Sequence, residues 1–287
     1  MGFGDRADGG TTWTTSSVKH EPHTLTDGTG LVTTPLQIMD KITIKAFQAP
    51  SEPALCEEFL REHRKVLQDF GIEHISTNTE DWMTDPNAYI IVALHDKLGM
   101  VGGIRLQIAA PDRQLPMSLA ISKMDERVND ELAVLNPHGN GEVCSLWNAN
   151  RYANMGIPVI LSTCVTAMST MVNARTMVCL VAHYTQRYPR RNGFLVMEGV
   201  GDKGTFIYPI PSITAIAMVN PDTLTLPYAS DEQRHVIYSI RLRPQQVRIE
   251  RPGKAEIEVH YDMRVQNDFL SLNAYQHIEQ DRLRHSA

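Results

Sequence analysis

Apolar residues take up a regular spacing only from about Leu36 onward. Before that point, residues 1–34 are rich in Gly, Thr, Ser and Asp with almost no aliphatic periodicity, which predicts a flexible tail. The run Ile42-Thr43-Ile44-Lys45-Ala46-Phe47 alternates and predicts a strand. Ser51, as N-cap, and Pro53 then mark a helix start. Leu55, Phe59, Val66, Leu67 and Phe70 share one face of that helix, and Gly71 ends it. A polar loop over 73–87 leads to a hairpin made of Tyr89–Leu94 and Met100–Ile108, with turn material between them. A short helix is expected around Lys123–Val134 and a strand over Glu142–Ala149.

Gly156-Ile157-Pro158 opens a helix that runs to about Val172. The next segment, Thr176–His183, fits either a continued helix or a strand. The helix exit at Asn173-Ala174-Arg175 and the shortness of the run favour the strand. A helix over Tyr184–Arg191 follows, ended by Asn192-Gly193, then strands at Phe194–Met197 and Ile213–Val219. The C-terminal part is expected to carry a hairpin drawn from His235–Leu242, Val247–Glu250 and Ala255–Tyr261, then a helix over about Asp268–Arg284. There is no internal repeat.

Composition trims the functional classes. A chain of 287 residues, 42% hydrophobic and 21% charged, can bury a sizeable core. A net charge of -6 gives no global basic excess, so nucleic acid is not an expected partner. The four cysteines, Cys56, Cys144, Cys164 and Cys179, form no CxxC pair, so no metal site is expected and a reducing compartment is. The most apolar stretch, 157–183, is interrupted by Asn173, Arg175 and several Ser and Thr, so it reads as core rather than a membrane span. No basic patch followed by an apolar core marks a signal peptide, so the expected location is cytoplasmic.

The order of elements resembles the GNAT acyltransferase fold: an α/β architecture with a central mixed sheet flanked by helices, here with a C-terminal β-hairpin and helix extension. Within it, Asp85-Pro86-Asn87-Ala88-Tyr89-Ile90-Ile91 followed by Val101-Gly102-Gly103-Ile104-Arg105-Leu106 is similar to acyl-homoserine-lactone (autoinducer) synthases and long-chain N-acyl amino acid synthases. Those families place acidic residues ahead of a Tyr-led strand and then a Gly-x-x-Arg-Leu strand. Arg105 matches the arginine, and Asp81 or Asp85 an acidic position. Glu142-Val143-Cys144-Ser145 matches the glutamate of the family's Glu-x-Ser-Arg but has Ser145 where the arginine stands. Tyr184–Gly193 resembles the family's helix ending in Arg-x-Gly. The likeness covers roughly residues 42–220. It divides the chain into a tail (1–34), a GNAT-like domain (35–234) and an extension (235–287).

The resemblance implies an N-acyltransferase. It would move an acyl group from an acyl carrier protein or acyl-CoA thioester to the amine of an amino acid or related small molecule. The thioester is a substrate, and no permanently bound cofactor is expected. An acyl-homoserine-lactone synthase using S-adenosylmethionine is the related alternative, disfavoured by Ser145. A non-catalytic acyl-binding module of the same fold is the other. Glu142 is the candidate base, because a carboxylate at a buried strand end has a raised pKa and accepts a proton. Asp81 and Asp85 would bind the cationic amine or relay its proton, or else serve only in turn chemistry. Arg105, if it faces the core, needs a carboxylate partner, either Glu142 or Asp81.

Backbone amides along Ser145, Leu146, Trp147 and Asn148 are candidates to polarise the thioester oxygen. Trp147 itself either lines the acyl pocket or packs in the core. Amides around Asn154–Gly156, with Arg151, are candidates to hold the donor's phosphate. The segment Arg151-Tyr152-Ala153-Asn154-Met155-Gly156 has one glycine where acetyl-CoA enzymes of this fold have more. Arg187, Arg190 and Arg191 are candidates to meet an acidic carrier protein. His63, His183 and Ser162 raise serine hydrolysis, but there is no Gly-x-Ser-x-Gly elbow to support it.

Overall fold

The computed structural model describes residues 39–72, 75, 79–253, 256–265 and 270–285. The expected tail, 1–34, lies outside the described residues. Among the described residues, ten strands form one mixed sheet. They are β1 (Asp40–Gln48), β2 (Ala88–His95), β3 (Gly99–Ile108), β4 (Asn140–Asn148), β5 (Thr176–Ala182), β6 (Leu195–Val196), β7 (Thr205–Ile207), β8 (Thr214–Asn220), β9 (Gln245–Glu250) and β10 (Ile257–Asp262). The helices are α1 (Pro53–Asp69), α2 (Pro116–Ile121), α3 (Arg127–Leu135), α4 (Ile157–Met168), α5 (Arg187–Arg191), α6 (Asp231–Leu242) and α7 (Leu272–His285). The strand order is β6-β8-β5-β4-β3-β2-β1-β10-β9, with β7 beside β8. Pairing is antiparallel except for β4 with β5 and β1 with β10.

The sheet carries helices on both faces, and β3 shows why they come close. A Cβ on Gly102 would lie 2.8 Å from Ile157 of α4, and one on Gly103 would lie 2.4 Å from the Phe59 ring of α1. Successive residues of a strand point to opposite faces. Two adjacent glycines therefore let α4 approach one side and α1 the other. Ile42, Ile44, Ile91, Ile104, Leu106, Leu161 and Val165 form the larger core on the α4 side. Phe59, Trp82, Ile90, Val92 and Trp147 form the smaller one under α1.

Several elements differ from the sequence-based expectation. His235–Leu242 is not a strand; it belongs to α6. Ser230 caps that helix by accepting the Gln233 N–H, and Asp231 and Glu232 sit in its first turn, where the helix dipole favours them. The hairpin is instead β9 with β10, and β10 runs parallel to β1 inside the main sheet. Ser51 does not cap α1. Its hydroxyl donates to the Gln48 carbonyl, closing a short 3-10 turn before Pro53. Helix α2, which Pro116 opens, was not anticipated.

Arg241 of α6 binds this side of the sheet together. It is fully buried and has no carboxylate partner among the described residues. Its guanidinium donates to the carbonyls of Thr166 (3.1 Å), Ala167 (3.3 Å), Thr223 (2.7 Å) and Leu224 (3.2 Å) and to Ser169 Oγ (3.1 Å). Thr166 and Ala167 lie in the last turn of α4, whose carbonyls lack the regular helical partner four residues on. Burial lowers the Arg241 pKa to about 10, so the group stays charged at neutral pH. Replacing it removes a donor from four buried carbonyls; Ser169, Thr170 and Tyr238 still serve those of Thr166, Ala167 and Leu224, so the loss falls mainly on Thr223. Arg241→Met is expected to lower the unfolding free energy by about 1–3 kcal/mol in urea denaturation.

Candidate active site

Strand β4 loses its neighbours at mid-length. It pairs with β5 only from Asn140 to Val143, opposite Thr176 to Cys179, and the two strands then part. Its ladder to β3 slips at the same level: Cys144 faces Arg105 and Trp147 faces Gly103, so Ser145 and Leu146 stand opposite Ile104 alone. This is a β-bulge, and Ser145 takes the left-handed conformation that it requires (φ 52°). A cavity of about 450 Å³ occupies the gap. Its walls are β4 from Glu142 to Asn148, β5 from Cys179 to Ala182, and parts of α1, α2, α4 and α5. Val66, Leu67, Phe70, Val165, Phe194 and Ile213 make much of the lining apolar.

Glu142 lies in that wall and is 2% exposed. Its Oε2 accepts the Met117 N–H at 2.7 Å, at the start of α2. Burial pushes its carboxyl up to about 8, against the opposing pull of the Met117 amide and the Arg105 charge. Arg105 shares this face of the sheet, since it sits opposite Cys144 and Gln107 sits opposite Glu142. It faces the core and is buried, but it forms no ion pair with Glu142 or Asp81 among the described residues. Its Nε donates instead to Cys144 Sγ (3.2 Å), and its guanidinium stacks 5.1 Å from the Trp82 ring. Burial pushes the Cys144 thiol up.

Ser145, Leu146 and Trp147 line the cavity. Trp147 does so while packing edge-on against Phe59 at 5.7 Å, so it serves both cleft and core. The structure brings the other candidates elsewhere. Asp81 is exposed in a 3-10 turn, where its carbonyl accepts from Arg113. The Asp85 carboxylate is buried but spent. It accepts from the Asn87 N–H (2.8 Å) and Gln107 Nε2 (2.7 Å) and pairs with Arg113 Nε (3.2 Å). Neither aspartate lines the cavity. Arg151 pairs with Glu62 at 2.8 Å and donates to the carbonyls of Leu98 and Met100. Asn154 and Gly156 pack under the turn between β9 and β10: a Cβ on Gly156 would lie 2.6 Å from Pro252. Arg191 is exposed, but its Nε donates to Gln233 Oε1 (2.6 Å). Arg187 and Arg190 remain exposed on α5, next to Tyr188 and Pro189, which line the cavity.

His63 was missed as a site residue. It lines the cavity from α1, is 3% exposed, and is held at a pKa of about 4 by burial and then by the Arg105 and Arg64 charges. Asn148, at the end of β4, also lines the cavity. Among the described residues no cluster of metal-ligating side chains is found, and no helix is long and apolar enough to cross a membrane.

No protein-family model matches the sequence, and no curated protein matches it. Solved structures do. FeeM, an N-acyl amino acid synthase from uncultured soil microbes, is 14% identical with a TM-score of 0.51; the match covers 68% of this chain and 98% of FeeM. The acyl-homoserine-lactone synthase LasI is 12% identical with a TM-score of 0.48, over 70% of this chain and 96% of LasI. An acyl-CoA N-acyltransferase from Pseudomonas aeruginosa is 14% identical with a TM-score of 0.44, over 63% of this chain and 99% of its own. The latter two superpose more loosely and carry no argument. The likeness to FeeM is one of fold, and the chain has the GNAT-like α/β fold with its mixed central sheet flanked by helices.

Proposed function

We propose that this chain is an N-acyltransferase that moves an acyl group from a carrier-protein or coenzyme A thioester onto the amine of an amino acid or related small molecule. The observation that carries the reading is the placement of Glu142. A buried carboxyl with a pKa raised to about 8 lies in the wall of an apolar cleft, on the strand whose bulge sets Ser145 and Leu146 together opposite Ile104. A base poised near the working pH, beside the amides of a bulged strand and an apolar cavity, suits acyl transfer.

In this reading the apolar cavity takes the acyl chain, and the amides at the bulge polarise the thioester oxygen. The amine attacks the carbonyl carbon, Glu142 takes its proton, and the C–S bond breaks to release the thiol. Arg187 and Arg190, exposed beside the cavity, would meet an acidic carrier protein. Arg151, Asn154 and Gly156 are already engaged by Glu62 and by the turn at Pro252, which favours a donor held through such a protein contact. The serine at 145 offers no guanidinium to an S-adenosylmethionine carboxylate, so the autoinducer variant gains no support.

The test is thiol release from acyl thioesters in the presence of amino acids. Glu142→Gln keeps an acceptor for the Met117 N–H but cannot take a proton. It is expected to lower kcat/KM for the amine by about a hundredfold or more. Turnover at the wild-type rate in this variant would remove Glu142 from the chemistry. The pH dependence is a second check. A carboxyl acts as a base only when ionised, so a raised pKa means that activity climbs with pH and levels off above about 8. In Glu142→Gln that inflection disappears, and only the titration of the amine itself remains.

A further inference from the structure

Four buried side-chain polar atoms have no hydrogen-bond partner among the described residues: His63 Nδ1, Arg105 Nη1, Trp147 Nε1 and Asn148 Oδ1. Buried polar groups are almost always paired, so such orphans point to something missing from the site. These are not scattered. His63, Trp147 and Asn148 line the same cavity, and Arg105 binds Cys144 of the same wall and bears on the His63 ring. A largely apolar cleft thus holds one polar patch, and its occupant must be polar there.

The chemistry of the patch sorts what it can bind. Arg105 and Trp147 can only donate. Asn148 Nδ2 is committed to the carbonyls of Ala149 (3.2 Å) and Tyr152 (3.3 Å), which leaves its Oδ1 as an acceptor at the end of β4. His63 stays neutral, because burial and two nearby guanidinium groups oppose its protonation, so its ring keeps a lone pair. An amine brings N–H donors and needs an acceptor. Of the two acceptors, only His63 comes from α1, across the cleft from the β4 bulge.

Resting on the acyl-transfer reading above, we propose that His63 receives the attacking amine: its Nδ1 lone pair accepts one N–H and turns the nitrogen's own lone pair towards the thioester carbon. The nitrogen then bonds to that carbon and the C–S bond breaks. The amine's surplus proton passes to the Glu142 carboxylate and on to the sulfur, which leaves as the thiol. His63 takes no net proton. With a pKa of about 4 it is too weak a base to keep one beside Arg105.

Two substitutions test this. The Asn side chain can place an oxygen near the position of Nδ1, whereas Leu offers no acceptor. His63→Leu is expected to raise KM for the amine about tenfold, with KM for the thioester within about twofold, while His63→Asn stays within about threefold of wild type on both. Equal loss in the two variants, or an unchanged amine KM in His63→Leu, would overturn the proposal. Should either variant fail to fold by circular dichroism, the ring nitrogen signals of wild-type His63 are followed by 15N NMR as the amine is added with an unreactive thioether analogue of the donor. A shift at Nδ1 supports the contact, and no shift rejects it. Wild-type protein that consumes no thioester with any amine sinks the acyl-transfer reading itself, whereas an active wild type with an unaffected His63→Leu variant sinks only the role of His63.

Discussion

Strand β4 parts from β5 and slips against β3 within a few residues, and the cleft exists because of it. The β5 ladder stops after Val143, and the β3 ladder slips past Ser145 and Leu146. A central strand whose ladder breaks is costly in a packed interior unless its amides find other partners. The rest of the fold leaves room for a partner there instead of closing the gap with side chains. Helix α1 stands off one side, α5 and the Tyr208–Ile213 segment border the other, and the space between them is apolar. Adjacent glycines in β3 bring α1 and α4 close to the sheet just beside the opening, which fixes the walls that the bulge then parts.

The electrostatics of the cleft follow from the pleat. Arg105, Gln107, Glu142 and Cys144 stand on one face of β3 and β4, turned away from the aliphatic core under α4. Burial shifts Glu142 and Cys144 up and the His63 ring of the same cleft down by desolvation. The Arg105 charge opposes the rise at Glu142 and adds to the fall at His63. The outcome is a carboxyl poised near neutrality and an imidazole that stays neutral, held in one pocket by one arginine. Arg105 is not salt-bridged to either. A full ion pair with Glu142 would pull the carboxyl down and spoil it as a base near neutral pH.

Much of this was legible in the sequence, and the parts that were not have physical causes. Strand β1 follows from alternation, β2 to β4 lie where apolar runs and turn residues placed them, and Thr176–Ala182 is the strand that its short apolar run suggested. The segment His235–Leu242 misled because eight mostly apolar residues fit either period. The decisive signal, Ser230 with Asp231 and Glu232, lay just upstream. Glu142 was reached through family resemblance, and the bulge at Ser145 is seen only in the structure. Asp81 and Asp85 looked like amine-binding carboxylates, but Asp85 is spent on its own turn and on Gln107. Arg151 is paired with Glu62, a contact between residues far apart in the chain that no local pattern reveals. His63 was findable. It falls at the helical spacing of Phe59, Val66 and Phe70, so a polar ring on the apolar face of α1 was already written there.

The central claim is that this cleft makes an amide. The most direct test is the mass spectrum of lipid extracted from cells that overproduce the protein, compared with cells producing Glu142→Gln. The account predicts a new N-acylated amine or amino acid in the wild-type extract that is absent from the variant. Free fatty acid in its place, or the same product in both extracts, would contradict it.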